Sequence, residues 1–282
     1  MPNPGPQVLR VQLGRELRRL REAAGITSRE EVAKVLGSNA NKVSKIEQGQ
    51  GTLTAAEVTK LLKLFKVTGD EAKRIQDLAT AARKRGSYGK VPAFGRGYVG
   101  MEADASSLRI FYEELIPGLL QTEAYARALY ATSVTVAQAD VDRLVQTRLS
   151  RRAVLNQDGP PSLNVVLGEA ALRRHVGGKE VLLEQLEHLE TMSQMSNVTL
   201  QVLPFTSGEH AALGTSFILL RVNEVEAEYV YLEDLTSGDF WDRPQHTNVY
   251  QLVFNRLQIA ALGERETIAL ISNAVRELKG AT

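Results

Sequence analysis

Asn39, Asn41, Lys42, Lys45 and Gln48 all fall within one short segment, LGSNANKVSKIEQGQG (37–52). Their shared chemistry is that of base and phosphate recognition. A carboxamide can pair bidentately with adenine, and an ammonium with guanine or with phosphate. Arg29, a little upstream, adds a guanidinium suited to phosphate. On a helical wheel Ala40, Val43 and Ile46 share one side with Glu47 near them. Asn41, Lys45 and Gln48 point the opposite way, flanked by Lys42 and Ser44. A solvated surface helix can show this pattern by chance, whereas a helix lying in the major groove of DNA requires it.

The segment must be held by its neighbours, and the sequence before and after it is helical. Leu13, Leu17, Leu20 and Ala24 form one stripe of a first helix that starts near Val11 and ends at Gly25, after an extended proline-rich tail, MPNPGPQ. Ser28-Arg-Glu-Glu31 reads as a capping box that opens a second helix, which Gly37 stops. Asn39 caps the third helix, which runs to about Gln48. Thr54-Ala-Ala-Glu57 is another capping box and opens a fourth, with Val58, Leu61, Leu62 and Phe65 inward. A fifth helix covers about residues 70–84 and packs Ile75 and Leu78. Two helices joined by a short turn, as the second and third are, make the helix-turn-helix arrangement.

Charge divides the chain in the same place. Residues 1–90 hold 18 Lys+Arg and 9 Asp+Glu, a net of +9, while the other 192 residues hold 16 and 24, a net of −8. A basic module joined to an acidic one fits a nucleic-acid-binding domain with a regulatory partner domain, although a basic face without a ligand would look the same. With no cysteine, thiolate metal sites and thiol catalysis are excluded. No apolar run is long enough to span a bilayer, and MPNPGPQVLR has neither the apolar core nor the cleavage site of a secretory signal. The expectation is a cytoplasmic protein, nucleoid-associated when bound to DNA, with no membrane partner.

KRGSYGKVPAFGRGY breaks the helical pattern and reads as a linker over 85–98. Helical pattern returns from Glu102 to Glu114, is interrupted at Pro117-Gly118, resumes from Thr122 to Tyr130, and recurs over 137–156. LNVVLG, NVTLQVLPF, TSFILLRV and EYVYLED are four strand candidates. EAALRRHV, KEVLLEQLEHLETMSQM and two terminal helices, about 246–261 and 264–279, accompany them. The fold class is therefore two domains. An N-terminal all-α five-helix helix-turn-helix bundle spans 10–84, and a C-terminal α/β (or α+β) domain with a small sheet of about four strands flanked by helices spans 99–282.

Enzymatic patterns are missing. His175, His188, His210 and His246 are scattered without metal-ligand spacing, and neither HExxH nor G-x-S-x-G occurs. Gly95-x-Gly97-x-x-Gly100 matches G-x-G-x-x-G but has no strand–turn–helix setting. Gly208-Glu209-His210, after a strand end, is a polar loop where α/β domains often hold ligands, or simply a solvated loop. No cofactor, no metal and no catalytic residue is expected. A buried polar cluster around His210 would revive an enzyme.

LGRELRRLREAAG, EEVAKVLG and ANKVSKIEQGQ together resemble the Cro/repressor, or XRE, class of helix-turn-helix proteins, with K-V-S-K-I-E-x-G as the most specific part. The resemblance implies binding of double-stranded DNA as a homodimer, with Asn41, Lys42 and Lys45 in the major groove. It also implies that Glu47 is structural and paired with an arginine of the first helix. The turn Gly25-Ile26-Thr27-Ser28 is one residue longer than usual in the class, and Arg29 stands where Gln is common. Farther on, LIPGLLQTEAYARAL (115–129), RLSRRAVL (148–155), LGEAALRRHVGG (167–178) and NVTLQVLPFTSGEHAALGTSFILL (197–220) resemble the DUF5753 domain of regulators from Streptomyces and related actinobacteria. Arg152 departs from the Gln often found there. This resemblance implies a transcriptional regulator whose second domain senses an unknown small-molecule effector or a protein partner, such as a small DUF397-type protein, and dimerises. The alternative is an antitoxin-like member of such a protein pair.

Overall fold

The computed structural model describes residues 5–84, 95–223 and 227–280, and the chain forms two compact units. The first holds α1 (Pro6–Ala23), α2 (Arg29–Leu36), α3 (Ala40–Glu47), α4 (Ala55–Leu64), α5 (Gly69–Ala82) and most of α6 (Gly95–Ala103). Leu13, Leu17, Leu20, Val32, Val43, Ile46, Leu53, Val58, Leu61 and Ile75 make one core between α1 and α5.

Several boundaries differ from the sequence reading, each for a physical reason. The first helix starts at Pro6, within the stretch read as an extended tail. Proline is tolerated at a first helical position because its absent N–H would be unpaired there anyway. Burial of Val8 and Val11 then holds that extra turn in place. Ala24 is the C-cap and exposed, so the stripe ends at Leu20. At α2 the Ser28 hydroxyl accepts from the Glu30 N–H (3.1 Å) and donates to the Glu30 carboxylate (2.6 Å), so Glu30 takes the place expected of Glu31. The box at Thr54–Glu57 forms as read. The expected linker lies largely outside the described residues, but 95–98 begin α6 and residues 96–104 group with the first unit. Gly95, Gly97 and Gly100 thus sit within one helix and not on a phosphate-binding turn.

The second unit is built on a six-stranded sheet in the order β3-β2-β1-β4-β5-β6. β1 (Ser107–Tyr112), β2 (Ser162–Gly168) and β3 (Val198–Leu203) run parallel. β4 (Phe217–Val222), β5 (Ala227–Glu233) and β6 (Gly238–Trp241) continue antiparallel from β1. The four expected strands are β2 to β5. SLRIFY, read as part of a helix, is the central strand: flanked on both sides, it buries Leu108, Ile110 and Phe111 on opposite faces, so its apolar residues do not alternate cleanly. β6 is an edge strand of four residues, too short to show a pattern.

α7 (Glu123–Ala131) and α8 (Val141–Ser150) connect β1 to β2, and α9 (Ala170–Arg173) and α10 (Lys179–Met192) connect β2 to β3. The helix expected over 137–156 is α8 with a 3-10 turn on either side, Gln138–Asp140 and Arg151–Asn156. α11 (Pro244–Ala260) packs Phe254 and Leu257 on Phe111, Phe217, Leu219 and Val230, and α12 (Glu264–Lys279) packs on β3 and α10.

Backbone proximity sets the position of α3. A Cβ on Gly14 of α1 would lie 2.5 Å from the Ile46 carbonyl oxygen and 2.7 Å from that of Glu47. Alanine at a helix interior is worth about 1 kcal/mol over glycine, whereas overpacking against backbone that cannot yield costs roughly 1–3 kcal/mol beyond that gain. Gly14→Ala should therefore lower the urea midpoint of the first unit, despite its better helix propensity. An unchanged or raised midpoint would mean that the helices separate without cost.

Candidate nucleic-acid interface

Three contacts fasten the inner side of α3 and leave its outer side free. Val43 and Ile46 are buried in the core. Glu47, 4% exposed, accepts from Arg21 Nε of α1 at 2.6 Å and from Arg29 Nε of α2 at 2.9 Å. Arg21 Nη1 also donates to the Ile26 carbonyl at 2.8 Å, tying down the lengthened turn before α2. Removing either guanidinium would leave buried charge without its full set of partners, which is costly. The third contact is at the end of the helix, where Gly49 adopts a left-handed φ of +71° and its carbonyl accepts from Gln7 Nε2 at 3.1 Å. A Cβ there would lie 2.6 Å from Val11 Cγ2.

The outer side carries the residues singled out by sequence. Asn39 caps α3 through its Oδ1, which accepts from the Lys42 N–H at 2.9 Å, and remains exposed. Asn41 and Lys45 are exposed one turn apart, and Lys42 is half-buried beside them. Asn39, Asn41, Lys42 and Lys45 line one depression of about 290 Å³ together with Gln50, Gly51 and Thr52. Gln50 and Thr52 were missed in the sequence because they lie beyond the helix, in a loop with no periodicity to read. Gln48 is half-buried at the C-cap and does not line the depression. Arg29 stands apart from it, with its Nε on Glu47 and the side chain 39% exposed.

Lys42 is not a free cation. Its Nζ lies 2.7 Å from Glu57 Oε1, while the other oxygen of Glu57 accepts from the Thr54 N–H at 2.7 Å. Lys42 first, and then the Thr54 amide, hold the Glu57 carboxyl well below the usual range, at about 2. A phosphate at this corner would share Lys42 with a carboxylate, which tempers the local positive field.

The histidines stay apart: His188 is on α10, His246 on α11 against Trp241, and His175 and His210 in loops. His210 Nε2 is 3.6 Å from Glu113 Oε1, its Nδ1 accepts from the Ala212 N–H at 3.4 Å, and its ring meets Phe111 edge-on.

Two outcomes test this anatomy. Glu47→Gln removes one charge from a buried network and should destabilise the first unit by about 3–5 kcal/mol in urea denaturation; a loss below 1 kcal/mol would show the network to be dispensable. Glu57's depressed pKa gives stability that is fully present above its ordinary value of 4.5 and is lost as pH falls through about 2. Carbon-detected NMR titration of the Glu57 carboxyl in Lys42→Ala should find it shifted upward, and an unmoved midpoint would assign the effect to the Thr54 cap alone.

The chain's relations agree with this division. The helix-turn-helix domain family matches residues 12–75, and the family described as domain of unknown function (DUF5753) matches residues 96–273. No curated protein and no solved structure matches the chain. Among the described residues no helix is long and apolar enough to cross a membrane. With the second match covering more than half of the sequence, the chain belongs to the DUF5753 family and carries that domain behind an N-terminal helix-turn-helix domain.

Proposed function

We propose that this protein is a sequence-specific transcriptional regulator that reads double-stranded DNA through α3 as a homodimer and whose DUF5753 domain senses a small-molecule effector or a protein partner. The observation that carries the reading is the two-sidedness of α3. Its inner side is locked by the Arg21–Glu47–Arg29 network, and its outer side offers Asn41 and Lys45 exposed in one row. Side chains already positioned lose little conformational entropy on meeting base edges, and Asn and Lys have the donors that adenine and guanine present acceptors for. Asn39, Lys42, Gln48 and Arg29 serve the phosphates and the helix flanks, and the net charge of +9 over residues 1–90 supplies the sequence-independent attraction. Regulation is by linkage: a signal bound to the second domain changes the spacing of two recognition helices.

Selection of DNA from a random pool with the full-length protein should enrich a two-fold symmetric motif, as a dimer of helix-turn-helix domains requires. On the selected site, Asn41→Ala and Lys45→Ala should each cost about 1–3 kcal/mol and relax preference at one position. Arg29→Ala should instead weaken all sequences alike and reduce the salt dependence by about one contact. An unsymmetric motif would remove the dimer from the reading. If Asn41→Ala bound the selected site as well as the wild type, the recognition face would lie elsewhere.

A further inference from the structure

The order of the sheet reverses at β1. β2 and β3 lie in sequence to one side, while β4, β5 and β6 lie to the other. In open α/β sheets such a reversal leaves a crevice beyond the carboxyl ends of the parallel strands, where ligands bind. Tyr112 is the last residue of β1. Tyr231 and Glu233 close β5, whose register with β4 (Ile218 opposite Tyr231) brings them to the same edge. The end of α8 and the 3-10 turn after it carry Arg148, Arg151 and Arg152. Arg151 acts electrostatically on both Tyr231 and Glu233, and Arg148 on Glu233.

Arg148 and Arg152 are held but not satisfied. Arg148 Nη1 donates to Gln121 Oε1 at 2.8 Å, and its guanidinium carbon lies 4.4 Å from the centre of the Tyr130 ring. Arg152 Nη2 donates to the Gln121 carbonyl. Yet the Nε atoms of Arg148 and Arg152, and Nε2 of the adjoining His188, are buried with no hydrogen-bond partner among the described residues. Neither Arg148 nor Arg152 has an ion pair there. A buried donor without an acceptor is costly, and more so on a charged group. Burial raises the pKa of Glu233 despite Arg148 and Arg151. Asp234 is held by the Thr236 and Ser237 amides of its own turn. His188 is kept from adding a proton by burial first and then by Arg152.

We propose that Arg148, Arg151 and Arg152 form the binding site for a small molecule carrying a carboxylate or phosphate group, at the sheet edge marked by Tyr112 and Tyr231. The proposal rests on the reading of the second domain as a sensor and gives its effector a chemical class. Both Arg148 and Arg152 are half-exposed. An anion that draws their guanidinium groups round therefore gives the stranded Nε–H donors an acceptor, in the forked geometry that arginine offers to planar oxyanions. The gain on binding combines charge pairing with removal of a penalty already present in the free protein.

Thermal unfolding of the full-length chain in potassium phosphate and in potassium citrate, each against potassium chloride at equal ionic strength, tests the site. At about a hundred times its Kd, a bound anion raises Tm by roughly 5–10 °C. A rise in phosphate alone identifies a phosphorylated effector, and a rise in citrate alone a carboxylate. The rise should vanish in the double variant Arg148→Gln, Arg152→Gln. If that variant does not fold, the 15Nε–1Hε resonances of Arg148 and Arg152 in the wild type, assigned with Arg148→Lys and Arg152→Lys, decide instead and should move with the anion. No rise in either salt overturns the site, as does an equal rise in the folded double variant or unmoved Nε resonances. DNA selection is measured separately. A protein that selects a motif but responds to neither anion keeps the regulator reading and loses this site, and the opposite result loses the regulator reading alone.

Discussion

The first unit depends on one buried carboxylate. Glu47 is the last residue of α3, and the two guanidinium groups that neutralise it come from different helices, α1 and α2. A charge so placed cannot remain buried unless both partners are present, so the network acts as a condition on geometry more than as a source of stability. It fixes the rotation of α3, and with it which residues face outward. The same Arg21 that meets Glu47 also holds the Ile26 carbonyl, so the turn before α2 and the tilt of α3 are set by a single side chain.

Around that network the helices approach at backbone distance. Gly14 admits the Ile46 and Glu47 carbonyls, and Gly49 admits Val11 while its own carbonyl is capped by Gln7. The amino-terminal turn of α1 is therefore part of the support for α3. Its folding follows from contacts with the far end of α3 and not from local propensity, which is poor in so proline-rich a stretch. Rigidity accumulated behind α3 is what lets short polar side chains on its other side act as a preformed surface.

The second unit solves a different problem. Its central strand is enclosed by neighbours on both sides and by packed layers on both faces, and the reversal of strand order beside it is where polar side chains collect. On one face the ring cluster of Phe111, Phe217 and Phe254 closes the core. At the carboxyl edge Arg151 acts electrostatically on Tyr231 and Glu233, and Arg148 on Glu233.

Much of this was legible in the sequence. Helix spacing, the caps at Ser28, Asn39 and Thr54, and the opposition of Ala40, Val43 and Ile46 to Asn41 and Lys45 depend on residues a few positions apart, where 3.6-residue periodicity and local hydrogen bonds decide the outcome. The two-domain division followed from charge and composition, which sum over long stretches. The folding of Pro6 and Gln7 into α1 and the identity of SLRIFY as the central strand were settled by partners far away in sequence. So were the pairing of Lys42 with Glu57, the inclusion of Gln50 and Thr52 beside α3, and the approach of Arg148 and Arg151 to Glu233. Local pattern tells a residue which element to join and which side to face. Only tertiary structure brings together groups from separate elements, because burial and unpaired charge are costs that a segment does not incur until it meets its neighbours.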